Sequence, residues 1–424
     1  MERRNAFTTL RGVLLLGAVL TACGPVPESG APVEDATDED VAAMSKVPVP
    51  SVDPMPLATS EPAVAYGWGR FLVVWQDVRE GGVYGTLVRK NGTLVTPAGF
   101  RINIGTGPGG TPSIAYDGEQ FIVVWKTQDA IDGVRVRTDG TVVGPVFNVI
   151  TSYRVAAPVG IACSSKLCLV TFTVNSDTGS EINARRVTTD GVVLPEIVHG
   201  IAPGARLMDE STVAWNGTDF FIAWTDSRGG EETPDIYGAR VKPDGTVVDP
   251  GGLPIAVAPG AQRSPDVVWT GRRFLVVWSD GRGADRDIYG ARVRANGRVD
   301  DPRGIPIATG TGDQLFPAVA HHNSKSLVVW QSDFDGVSRV RGVRVHEDGT
   351  VMAPGVFAIS SSDYDREALP DVAYGGGLFL TAYSGSSEAP SEPTYILGAR
   401  VDHQARVLDV NTLTRTPTPP PEAP

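Results

Sequence analysis

Residues 265–310 read PDVVWTGRRFLVVWSDGRGADRDIYGARVRANGRVDDPRGIPIATG. After a leading proline comes a short strand signal, Val267-Val268-Trp269, and then the run Phe274–Trp278. A run that is apolar at every position is expected to be buried on both faces of its sheet. Tyr289–Val293 gives a third strand signal, and Asn296-Gly297 follows it. That dipeptide marks a type I′ hairpin, whose two central residues both need positive φ. Pro306-Ile307-Ala308-Thr309 supplies the fourth strand. The stretch is one unit of four antiparallel strands.

The unit recurs along the chain. Its apolar anchor appears at Phe71–Trp75, Phe121–Trp125, Cys168–Phe172, Phe220–Trp224, Phe274–Trp278, Ser326–Trp330 and Phe379–Tyr383, at intervals of 47 to 54 residues. Pro62, Pro112, Pro265, Pro317 and Pro370 each stand thirteen residues before the anchor's last aromatic; Val159 and Ser211 fill the other two places. Asn/Asp-Gly turns recur at Asn91, Asp139, Asp190, Asp244, Asn296 and Asp348. Repeats of this length, with four strand signals each and no helical periodicity, predict an all-β, seven-bladed β-propeller over residues 55–410. Tandem antiparallel hairpins argue against a parallel solenoid. Met55–Thr59 matches the fourth strand Ile305–Thr309 and stands before the first unit, whereas the seventh unit has His403-Gln404 in place of its turn. The N-terminal strand is therefore expected to complete the last blade and to seal two free sheet edges.

Composition agrees with many short strands and turns. The 424 residues include 49 Gly and 33 Pro, with 41% hydrophobic and 20% charged residues. A net charge of −12 argues against nucleic-acid binding, which needs clustered Lys and Arg. A monomeric body is expected.

The first 23 residues, MERRNAFTTLRGVLLLGAVLTAC, carry Arg3, Arg4 and Arg11 ahead of a short apolar stretch. That stretch is too short to span a membrane and reads as an export signal. Its end, Leu20-Thr21-Ala22-Cys23, resembles the lipobox of bacterial lipoproteins. The resemblance implies cleavage of residues 1–22, lipidation of Cys23 and, with Gly24 next, an outer-membrane destination. Two or more acyl chains suffice for a stable anchor. Residues 23–54 are acidic and Pro-rich and read as a tether; residues 411–424 read as a Pro-rich tail.

Cys163 and Cys168 take the places of aromatic pairs such as Tyr66/Phe71 and Trp269/Phe274 in other units. Both partners change together, across a hairpin where facing side chains are close. A structural disulfide is expected, in an exported compartment that permits one.

The most suggestive polar motif is Trp-x-Asp-x-Arg at Trp75-Asp77-Arg79, Trp224-Asp226-Arg228 and Trp278-Asp280-Arg282, leading to Asp235 and Asp287 in the later copies. Here the chain resembles the repeats of secreted bacterial β-propeller proteins, loosely sialidase-like or WD40-like. That resemblance spans residues 55–410 and implies a fold without an activity: the sialidase Ser-x-Asp-x-Gly-x-x-Trp box, the WD40 Trp-Asp pair and the kelch Gly-Gly are missing. One reading makes each Asp–Arg pair a local brace. The other makes Asp77, Arg79, Asp226, Arg228, Asp280, Arg282 and Asp287 a binding face, with Asp280, Asp285 and Asp287 as oxygen donors suited to Ca²⁺. No other cofactor is indicated. The repeated arginines of the third strand (Arg135, Arg186, Arg240, Arg292, Arg344, Arg400) are expected to pair locally. Loops between second and third strands are longer and more variable than the Asp-Gly turns opposite, and such loops are where binding usually resides; Gly385–Thr394 is the longest of them. The expected function is an exported binding or scaffold module for a protein or glycan partner. Its alternative is a glycan hydrolase or lyase working at the ring's centre, since two carboxylates on one face suffice for that chemistry.

Overall fold

The computed structural model describes residues 61–77, 81–104, 109–152, 154–177, 179–205, 208–360, 364–387 and 394–413. All belong to one of the chain's two compact units, Val52–Pro424. The leader, Cys23, the tether, Met55–Thr59, Arg79, much of the Gly385–Thr394 loop and residues 414–424 lie outside the described residues.

Every described element is a strand. The first repeat holds β1 (Ala63–Gly67), β2 (Arg70–Asp77), β3 (Gly82–Arg89) and β4 (Phe100–Arg101). The second holds β5 (Pro112–Tyr116), β6 (Gln120–Lys126), β7 (Ala130–Arg137) and β8 (Val142–Thr151). The third is β9 (Val155–Cys163), β10 (Leu167–Ser176), β11 (Gly179–Thr188) and β12 (Val193–Ala205). The fourth is β13 (Met208–Trp215), β14 (Phe220–Asp226), β15 (Asp235–Val241) and β16 (Leu253–Ala256). The fifth is β17 (Gln262–Trp269), β18 (Arg273–Asp280), β19 (Asp287–Arg294) and β20 (Ile305–Ala308). The sixth is β21 (Asp313–His322), β22 (Lys325–Phe334), β23 (Val337–His346) and β24 (Phe357–Ala358). The seventh is β25 (Arg366–Gly375), β26 (Leu378–Ser386), β27 (Tyr395–Asp402) and β28 (Val407–Thr412).

Within each repeat the strands pair antiparallel in chain order. The anchor strands are second in line and are the most completely buried: Phe71, Val73, Phe274, Val276 and Trp278 are fully inaccessible. Burying one such side chain is worth about 1.5–3 kcal/mol. First strands lie innermost. Each packs on the first strand of the next repeat, and β25 packs on β1, which closes the ring of a propeller.

Two expectations are corrected. Seven separate blades were expected, but hydrogen bonding gives five four-stranded blades and one eight-stranded sheet among the described residues. The last two repeats are merged by a single parallel bridge, Ser338 to Arg366. The last blade also has its own fourth strand. β28 runs along β27 from Val401–Val407 to Leu397–Thr412, so the edge assigned to Met55–Thr59 is occupied from the C-terminal side. Its turn dispenses with Asp-Gly: Ala405 takes the left-handed conformation (φ 69°), and Asp402 accepts from the amides of Gln404 and Arg406.

Side chains fasten each repeat to the next. Arg186 Nη1 donates to the carbonyl of Asp244 (2.7 Å), Arg240 to Ala295 (3.3 Å), Arg292 to Asp348 and Arg344 to His403 (2.7 Å). Arg400 closes the circle on the carbonyl of Lys90 (2.7 Å). The same guanidinium groups also pair locally: Arg240 with Asp249, Arg292 with Asp301 and Arg400 with Asp409 are all two-pronged. The expectation of local pairing thus covered half of what they do. Gly92 shows why the receiving turn needs glycine: its φ is 84°, and a Cβ there would come 3.0 Å from Arg400 Nε. On the inner strands, aromatic rings lie over the preceding repeat. A Cβ on Gly375 would fall 1.9 Å from the ring of Tyr66.

Cys163 and Cys168 face each other across β9–β10 and form the expected disulfide. They stand where Tyr66 meets Phe71 at 4.9 Å and Trp269 meets Phe274 at 4.8 Å.

Two outcomes follow. Arg400→Ala removes charged hydrogen bonds at the seam between the last and first repeats, and should lower unfolding free energy by about 2–3 kcal/mol in denaturant titration. Reducing the disulfide, which closes a loop with a sequence separation of 5, should cost at most about 2–3 kcal/mol, read from paired melts with and without reductant.

Candidate functional site

First strands enter by the proline position and run toward the hairpin with the second. The proline ends, the loops between second and third strands, and the crossovers therefore share one face of the ring, the loop face. The Asp/Asn-Gly turns lie on the other, the turn face.

On the loop face the Trp-x-Asp-x-Arg motif forms a closed box. Asp226 Oδ2 accepts from Trp224 Nε1 (2.8 Å) and Arg228 Nη2 (2.6 Å), while Oδ1 accepts from the Arg228 amide and Nε, both at 2.9 Å. Asp280 repeats the arrangement with Trp278 and Arg282. A carboxylate has about four acceptor sites, and both of these fully buried groups have all four filled. Arg228 and Arg282 lie over the rings of Tyr237 and Tyr289, 3.9 and 4.1 Å from their centroids. Pairing with the aspartate raises both guanidinium pKa values, so the charge is locked in place. Asp77 is buried in the first repeat, and its partner in the motif, Arg79, lies outside the described residues.

Asp287 Oδ1 accepts from the Gly310 amide, and Asp285 Oδ2 from that of Gly312, so both acids clamp the next crossover. Burial raises the Asp287 pKa. Among the described residues no group of three His, Cys, Asp or Glu side chains is arranged to hold a metal ion. The loops also differ from expectation in length. In repeats two, three and six the second strand continues past its anchor and turns back within a few residues, at Lys126–Ala130, Ser176–Gly179 and Phe334–Val337. Long loops remain in repeats four, five and seven.

Motif spacing missed the feature at the centre of this face. There the prolines Pro62, Pro112, Pro158, Pro265, Pro317 and Pro370 surround a funnel of about 270 Å³. Its rim comes from four consecutive first strands, each bulged just before its proline position. The residue at each bulge is left-handed: Glu210 (φ 54°), Ser264 (55°), Phe316 (50°) and Leu369 (53°). Non-glycine residues in this region are uncommon and cost about 1–3 kcal/mol each, and such strain gathers at functional sites. The bulges place these four side chains around the mouth, with Phe316 38% exposed. Glu61 stands on the funnel wall.

Deeper in lie Asp266 and Asp371, each just after its proline. Both are half-buried toward the funnel and join neighbouring strands. Val64 N–H donates to Asp371 Oδ2 (2.7 Å), from the first repeat to the seventh. Val319 N–H donates to Asp266 Oδ2 (2.8 Å), and Thr212 Oγ1 to its Oδ1 (3.0 Å). Desolvation pushes the Asp371 carboxyl up to about 7, helped by the charge of Asp266. Asp266 is raised too, chiefly by desolvation. Glu61 is raised by desolvation and by Glu210. Among the described residues lining the funnel there is no Lys, Arg or His. The one sequence signal for this site was the repeated proline, whose following position reads Ala, Ser, Gly, Thr, Asp, Ala, Asp around the ring.

No family model matches the chain, and no curated protein matches it. Solved structures do. A mutant puromycin hydrolase complexed with PGG is 12% identical over 88% of this chain and 57% of its own, with a TM-score of 0.53. The α-L-arabinofuranosidase of Lactobacillus brevis is 13% identical over 56% of this chain and 89% of its own, with a TM-score of 0.37. A subtype N11 neuraminidase-like protein of A/flat-faced bat/Peru/033/2010 (H18N11) is 11% identical over 82% of this chain and 88% of its own, with a TM-score of 0.46. This chain spans little more than half the length of the puromycin hydrolase. At these identities the likeness is one of fold: an all-β propeller of antiparallel four-stranded blades.

Proposed function

We propose that this protein is an exported propeller, held to the outer membrane through an acylated Cys23, that binds a glycan in its axial funnel without turning it over. In this reading the eight-stranded sheet acts as two blades, so the ring counts seven. The observation that carries the reading is the row of left-handed bulges at Glu210, Ser264, Phe316 and Leu369, which shapes a rigid mouth of acceptors beside an aromatic ring. Hydroxyl-rich ligands need that mixture: polar groups that fix orientation within a mostly apolar, preformed wall. The tie of Asp266 and Asp371 to backbone amides favours binding over turnover, because their oxygens already serve the ring.

Phe316→Ala should lose at least about tenfold in glycan affinity by calorimetry, with little change in melting temperature, since the ring is a partly exposed interface anchor. A glycan array that stays blank with the wild-type protein would refute the reading. Cys23→Ser should abolish incorporation of labelled palmitate; persistent label would place the lipid elsewhere.

One observation favours hydrolysis instead, the pairing of Asp266 with an Asp371 carboxyl whose pKa is about 7. A neutral carboxylic acid near pH 7 suits a general acid. The native carboxyl keeps its proton up to near 7, whereas an unfolded aspartate releases it near 4. Its contribution to stability is therefore complete below about pH 4 and lost as pH rises through 7. Calorimetric melting temperatures should fall between about pH 4 and 7, and Asp371→Asn should flatten that slope whatever its effect on absolute stability. Glycoside turnover that disappears in the same variant would establish the enzymatic reading.

A further inference from the structure

The repeats supply their own template for a second site, on the turn face and away from the funnel. In repeats four, five and seven the third-strand arginine holds the carboxylate nine residues after it: Asp249 on Arg240, Asp301 on Arg292, Asp409 on Arg400. Repeat three uses Glu196 on Arg186 (3.2 Å), and in repeat six Arg344 takes the carbonyl of Ala353 instead. Repeat two keeps the arginine, Arg135, but the residue aligned with Asp249 and Asp301 is Gly144. The seat has no side chain to fill it.

Arg135 is placed as its counterparts are. Its stem runs against the next turn's glycine, with Nε 3.3 Å from where a Cβ on Gly191 would stand, as Arg400 runs against Gly92. Its Nη2 faces the missing side chain, 2.9 Å from a Cβ position on Gly144. The carbonyl matching those that Arg240 and Arg400 use is engaged by another side chain, since Gln120 Nε2 donates to Thr189 O (2.6 Å). Among the described residues Arg135 has no hydrogen-bond or ion-pair partner. It opens onto a pocket of about 410 Å³ whose wall includes Gln120, Arg137, Thr138, Val143 and Thr189.

We propose that this pocket, between repeats two and three, binds the carboxylate of a small hydroxy acid of the hexuronic type, seated on Arg135 where Asp249 and Asp301 sit on their own arginines. Planar, two-pronged recognition of carboxylate is what a guanidinium does best. The surroundings narrow the class. Glu119, Asp139 and Asp190 edge the pocket; Asp139 is held in its turn by the Thr141 amide (2.8 Å) and Asp190 by the Thr188 hydroxyl. Their charges repel polyanions and leave room for a single carboxylate on a neutral, hydroxylated body. The threonine hydroxyls and the Gln120 amide suit such a body.

The test titrates sodium glucuronate into the full chain by calorimetry, with D-glucose as the neutral control. Glucuronate is expected to saturate one site while glucose gives no binding. Arg135→Gln should weaken glucuronate by about tenfold or more, with its melting temperature confirming the fold. Asp249→Gly, which empties the seat on Arg240, should raise the stoichiometry from one to two. Absence of saturable glucuronate binding, equal binding of glucose, unchanged affinity in Arg135→Gln, or a stoichiometry left at one in Asp249→Gly would each overturn the assignment.

Discussion

A guanidinium that serves two repeats at once determines how the ring is put together. Apolar burial between sheets is the larger energy, but it is non-directional, and flat sheet faces built of Val, Phe and Ala tolerate sliding. The third-strand arginines remove that freedom. In Arg186, Arg240, Arg292 and Arg400 one edge is fixed by a carboxylate of its own repeat, as in Arg240–Asp249, and the remaining Nη1 must then find a carbonyl at one place in the next turn. The planar fork makes the link angular as well as spatial. Glycine in the receiving turn is the complement of this bond, because any side chain would occupy the space the guanidinium crosses.

At the axis the same problem is solved with the opposite charge. Asp266 and Asp371 accept amides from the neighbouring first strand, those of Val319 and Val64. Burying a carboxylate is expensive unless it is hydrogen-bonded, and these two are bonded yet still raised in pKa. The centre of the loop face therefore combines strained backbone, poorly solvated acids and an open mouth, whereas the Asp–Arg boxes on the outer part of that face are saturated.

Much of this was legible in the residues. Anchors such as Phe274–Trp278 announce a buried second strand because no position in them tolerates water, and Asn296-Gly297 announces its turn because the glycine accepts the positive φ of 87°; Asn296 itself does not take positive φ, so the turn is not the type I′ that was expected. The coupled change to Cys163 and Cys168 exposed a facing pair. The closing strand was not legible: Val407–Thr412 is only half-buried at an edge, its turn carries Ala405 where glycine would have signalled it, and so the better-patterned Met55–Thr59 drew the assignment. Nor were the bulges legible, since Glu210, Ser264, Phe316 and Leu369 have no common chemistry and their backbone is set by the ring around them. The role of Arg135 became visible only when five sister arginines could be compared in space.

The contacts that join the seventh repeat to the first are of kinds found at other junctions: arginine to carbonyl from repeat three through repeat seven, aromatic ring over glycine from repeat two onto repeat one, aspartate to amide between repeats five and six. Nothing chemically marks that junction as the place where the chain happens to start and stop. A molecule built this way is circular in all but its covalent bonds, and its reading frame around the circle is arbitrary. A gene that began in another repeat would encode the same set of contacts.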